Sequence, residues 1–159
     1  MNNNQRYRGF SPLKVSLDFR VSIPPLWRPE AGASLFLQLS KEQELPMMKV
    51  LSQQAHEEKI RLINDSDKSP VGKGIMLDRL SMLSRKVCLN SMGKLRIPID
   101  LGDQAGITAE SEVILAGRGS HYEIWSMANF ATILSIETSL TEGGDMAREY
   151  QRFIEIQVM

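Results

Sequence analysis

A chain of 159 residues, 42% of them hydrophobic, can bury a core without covalent staples, and its one cysteine, Cys88, excludes an intrachain disulfide and a cysteine-rich zinc site. Its 19 basic and 19 acidic residues cancel, which excludes a uniformly basic nucleic-acid binder and leaves only a local basic face open. No run reaches the roughly 18 to 20 apolar residues that cross a bilayer, and residues 1–6 lack the apolar stretch of a secretory leader, so a cytoplasmic protein is expected.

Along the chain, strand composition is found near 13–17, 20–23, 35–39 and 47–51, punctuated by Pro24-Pro25 and Gly32. Segments 53–63 and 74–84 have helical character, and the polar stretch between them suits a loop. Residues 86–89 and 94–97 flank Asn90-Ser91-Met92-Gly93 and are expected to pair as a β-hairpin. Pro98 ends that ladder, and a short helix near 99–105 is expected to close at Gly106. Residues 112–116 and 121–125 form a further strand pair around Gly117-Arg118-Gly119-Ser120. Ser126 is placed to cap a helix whose Phe130, Ile133, Leu134 and Leu140 make a buried stripe. Beyond Gly143-Gly144, residues 146–157 have the pattern of a helix carrying Tyr150, Phe153 and Ile154 on one side.

The chain also repeats itself. Val15-Ser16-Leu17-Asp18 aligns with Val87-Cys88-Leu89-Asn90 at an offset of 72, and at an offset of 74 Arg20 meets Lys94, Ile23-Pro24 meets Ile97-Pro98, Ala31-Gly32 meets Ala105-Gly106, and Val50-Leu51-Ser52 meets Ile124-Trp125-Ser126. On this alignment the first copy lacks two residues between Asp18 and Arg20. The organisation is therefore a first repeat at 6–52, a helical connector at 53–84 with its polar loop at 64–74, a second repeat at 85–140 and a tail at 141–159 that can be helical.

Charge is segregated along this frame. Residues 1–28 carry Arg6, Arg8, Lys14, Arg20 and Arg28 against Asp18 alone, and 85–96 carry Arg85, Lys86, Lys94 and Arg96 without an acid. Acids gather toward the end, at Glu137, Glu142, Asp145, Glu149 and Glu155. Chemistry for catalysis is sparse: His56 is expected on a solvated helix face, His121 in a polar surface role, and Cys88 as a small packed thiol. Ser69-Pro70-Val71-Gly72-Lys73-Gly74 lacks the glycine spacing and the Ser/Thr of a phosphate loop. Met47, Met48, Met76 and Met82 are expected to fill core gaps, and Trp27 and Trp125 to be buried.

The stretch Val87-Cys88-Leu89-Asn90-Ser91-Met92-Gly93-Lys94-Leu95-Arg96-Ile97-Pro98, followed by Ala105-Gly106-Ile107 and Tyr122-Glu123-Ile124-Trp125-Ser126, resembles the second half of the MraZ family of bacterial transcriptional regulators. Arg8-Gly9, Ser16-Leu17-Asp18, Arg20, Ile23-Pro24 and Arg28 agree with its first half, so the resemblance spans about 6–140. It implies an α+β fold in which two tandem SpoVT-AbrB-like units form a swapped-hairpin β-barrel with flanking helices. It further implies a ring-shaped homo-oligomer on double-stranded promoter DNA of the division and cell wall gene cluster, nucleoid-associated, with no enzymatic activity, cofactor, metal, membrane or small-molecule substrate. The DNA-contacting set that follows is Lys14, Asp18, Arg20, Arg85, Lys86, Asn90, Lys94 and Arg96. The family's Asp-x-x-x-Arg motif is altered in both halves, to Asp18-Phe19-Arg20 and to Asn90-Ser91-Met92-Gly93-Lys94. Arg96 stands where members carry an apolar residue, on the same strand face as Lys94. A relative that keeps this fold but serves as an interaction scaffold is the alternative reading.

Overall fold

The computed structural model describes residues 7–141, so the expected helix at 146–157 and the side chain of Leu140 lie outside the described residues. In chain order the elements are β1 (Phe10–Lys14), β2 (Arg20–Ser22), β3 (Leu35–Glu42), β4 (Leu45–Ser52), α1 (Gln53–Asn64), α2 (Pro70–Met82), β5 (Ser84–Val87), β6 (Lys94–Arg96), α3 (Ile99–Gln104), β7 (Glu112–Gly117), β8 (Tyr122–Ser126) and α4 (Met127–Thr141). The fold is α+β and its ladders are antiparallel.

Two sheets form, one of six strands in the order β1-β7-β8-β4-β3-β5 and one of two, β2-β6. The expected closed barrel is not formed. Pro24 and Pro98, which have no N–H to donate, lie just past β2 and β6, so these three-residue strands stay a separate ribbon and do not bridge the sheet edges β1 and β5. The expected hairpin at 86–97 is also corrected: β5 pairs with β3 and β6 with β2, not with each other. Each bend is instead closed by its own backbone bond, Ser16 N–H to Arg20 C=O (2.9 Å) in one and Asn90 N–H to Lys94 C=O (3.0 Å) in the other.

The strand order has an internal symmetry. Replacing each strand by its counterpart in the other half, β1 for β5, β2 for β6, β3 for β7 and β4 for β8, reverses the six-stranded order onto itself. Two pairs lie on this pseudo-two-fold axis, Val21↔Leu95 and Lys49↔Glu123, each 74 residues apart. The bends obey the same offset, since Ile23 N–H bonds Gly93 C=O (3.0 Å) and Ile97 N–H bonds Phe19 C=O (2.7 Å). Phe19 and Gly93 both have positive φ, 60° and 75°. The two bends are therefore equal in length: Ser16 corresponds to Asn90 and Asp18 to Met92, and the two-residue deletion inferred from the sequence is absent.

Alternation buries the middle of the large sheet on both faces. Met48, Val50, Val113, Leu115, Tyr122 and Ile124 face a core shared with Val21, Ile23, Leu95 and Ile97 of the ribbon side. Met47, Ile114 and Trp125 face the other way, under Phe130, Ile133 and Leu134 of α4. Each such large side chain contributes about 1.5–3 kcal/mol on burial. Serines start the helices that leave the central strands: Ser52 Oγ accepts from Ala55 N–H and Ser126 Oγ from Asn129 N–H, both at 3.1 Å. Helix α2 begins at residue 70, earlier than its composition suggests, because Ser69 Oγ accepts from Gly72 N–H (3.1 Å) and Pro70 fits the first turn. Met47 and Met48 are buried as expected, whereas Met76 and Met82 are exposed. No helix among the described residues is long and apolar enough to cross a membrane.

Candidate nucleic-acid interface

The β2-β6 ribbon turns one face inward and one outward. Val21 and Leu95 are buried, so by alternation Arg20, Ser22, Lys94 and Arg96 share the outer face. Register sets Arg20 opposite Arg96 and Ser22 opposite Lys94. Directly opposed like charges repel, and Asp18 answers this at one end, with Oδ2 at 3.3 Å from Arg20 Nε. A hydrogen bond from the Ser16 hydroxyl is the largest influence on the Asp18 carboxyl and, against the opposing effect of desolvation and aided by the charges of Arg20 and Arg96, holds it below its usual range. The other end is chemically different: Met92, at the place of Asp18, is an exposed apolar side chain.

Both bends are fixed by a side-chain acceptor at their first position. Ser16 Oγ accepts from Arg20 N–H (3.0 Å), and Asn90 Oδ1 accepts from Met92 N–H (2.9 Å) and Lys94 N–H (3.0 Å). The Arg28 side chain, whose Nε donates to Ile23 C=O (2.7 Å), lies over the second bend so closely that a Cβ on Gly93 would sit 2.2 Å from the guanidinium.

Of the eight residues expected at the interface, Asp18, Arg20, Lys94 and Arg96 meet on this face, and Asn90 shapes its second bend. The other three lie elsewhere. Lys14 ends β1 opposite Glu112 in the large sheet. Arg85 pairs with Asp100 (2.7 Å) and donates to the carbonyls of Met82 and Ser84 (3.0 and 2.9 Å). Lys86 sits on β5 opposite Phe36, at the sheet edge away from β1. Ser16, Ser22 and Arg28 join this region beyond the expected set, and the matched spacing Ser16-x-x-x-Arg20 and Asn90-x-x-x-Lys94 is the sequence signal for Ser16.

A second polar cluster lies on the face of the large sheet opposite the ribbon. Burial pushes the Glu123 carboxyl up, but hydrogen bonds and charge from His121, Arg118 and Trp125 outweigh it and hold it down at about 2. Arg118 Nε (2.8 Å) and Trp125 Nε1 (2.9 Å) donate to Oε1, and His121 Nε2 lies 3.2 Å from Oε2. His121 is thus a partner of a buried carboxylate, not a simple surface group. His56 also departs from expectation, since its ring stacks on Phe36 with centroids 3.9 Å apart. Cys88 is exposed, not packed. Among the described residues no group of three or more His, Cys, Asp or Glu is arranged to hold a metal ion.

No protein-family model matches the chain, and no curated protein matches it.

Proposed function

We propose that the chain is a DNA-binding regulator that grips duplex DNA with the outer face of the β2-β6 ribbon, not an enzyme. The observation that carries this is the register that gathers Arg20, Arg96 and Lys94 on one solvent face while Val21 and Leu95 anchor the ribbon to the core. Three cations neutralise phosphates whatever the sum over the chain, and two neighbouring guanidiniums match the paired acceptors of guanine edges. More particularly, we read it as a divergent MraZ-like regulator of a division and cell wall gene cluster, built of two tandem SpoVT-AbrB-like units and acting as a nucleoid-associated homo-oligomer. Support comes from the interleaved strands and from the bends: Ser16 and Asn90 stand where the family has Asp, and each still holds its bend through the amide four residues on.

Fluorescence anisotropy with duplex DNA from upstream of the chain's own gene tests this. The affinity falls with salt at a log–log slope of about −3 for each bound ribbon. Replacing Arg20, Lys94 and Arg96 together by Ala flattens that slope. A salt-independent signal, or no loss in the triple variant, overturns the reading. The scaffold alternative draws on Val71, Ile75 and Met82, which α2 exposes on one side; it predicts no DNA binding even at low salt.

A further inference from the structure

We propose that the cavity between α1, α2 and the β3-β5 edge is a binding site for a small apolar carboxylate of about the size of a substituted benzoate. This site is independent of the ribbon. The cavity has a volume of about 310 Å³, at the lower end of what small-molecule sites occupy. Phe36, Ile60, Leu77 and Leu80 give it apolar walls.

Two of its lining residues carry unanswered polar atoms. His56 Nδ1 and Ser84 Oγ are buried and have no hydrogen-bond partner. Buried polar atoms are ordinarily paired, so two orphans in the lining of one cavity mark where outside hydrogen-bonding atoms are received. The imidazole cannot easily swing away to find water, because it lies flat on Phe36 with an interplanar angle of 3°. Ser84 and the Nδ1–H tautomer of His56 both donate, and Lys86 adds a positive charge to the lining, which includes no acid among the described residues. Donors and a cation above apolar walls select an acceptor-rich anionic head on an apolar body.

The test titrates the full chain with 4-fluorobenzoate, followed by fluorine NMR and by amide shifts of the labelled protein. Saturable binding is expected with a dissociation constant of about 1 mM or tighter, with shifts at Phe36, Ile60 and Ser84. The uncharged 4-fluorobenzyl alcohol binds at least about tenfold more weakly. Lys86→Met, at an exposed position, weakens the acid about tenfold, and Ser81→Phe, which fills the lining, abolishes binding. No saturation by about 20 mM means that the cavity takes water only and overturns the proposal. Equal binding of the alcohol overturns the anionic preference, and binding unchanged in both variants places the acid elsewhere and overturns the site.

Discussion

Glu123 keeps its charge inside the protein because Arg118, His121 and Trp125 converge on it. Its folded carboxyl titrates at about 2 against an ordinary 4.5, so the stabilisation is complete above pH 4.5 and is lost as pH falls from there through 2. The loss amounts to about 3 kcal/mol. We expect urea unfolding at neutral pH to show Glu123→Gln less stable by about 2–3 kcal/mol, with a flatter acid limb than the parent. Gly93→Ala makes a separate case, because φ is +75° there and the added Cβ meets the Arg28 guanidinium. Strain and the displaced Arg28–Ile23 bond together cost about 2 kcal/mol in the same measurement. Neither role was legible in the sequence. Glu123 reads there as one polar residue in a strand, and Arg118 as part of a turn, because their pairing depends on how that turn folds back.

Strands announced themselves by composition and alternation, but their partners did not. Residues 84–87 and 94–96 are near in sequence, yet each pairs with the other half of the chain, since the three-residue β6 finds its ladder on β2 and β5 finds the long edge of β3. The β3-β4 turn is not legible in the sequence because its two central residues, Gln43 and Glu44, take φ of 50° and 65° without the usual Asn-Gly signal. Glu44→Gly is therefore expected to raise stability by about 1 kcal/mol, seen as a higher thermal midpoint. Ser126→Ala removes the α4 cap and lowers stability by about 1 kcal/mol. Local charge picks Arg20, Lys94 and Arg96 together with Lys14, Arg85 and Lys86, which look equivalent in sequence, and only sheet topology separates the two sets.

The interleaving of the halves makes each dependent on the other, because β1 needs β7, β5 needs β3 and the ribbon takes one strand from each. Cutting the chain in the exposed stretch between α1 and α2 should leave two pieces that co-purify one to one and regain the circular dichroism of the parent on mixing. Pieces that fold separately and ignore each other would contradict the observed pairing. Along the axis that relates the halves, Lys49 faces Glu123. Two identical subunits wound in the same way would have to set like against like there, lysine on lysine or glutamate on glutamate. Joining the halves through α1 and α2 lifts that rule, so residues of opposite charge can stand in register at the midpoint of a frame that otherwise treats its two sides alike.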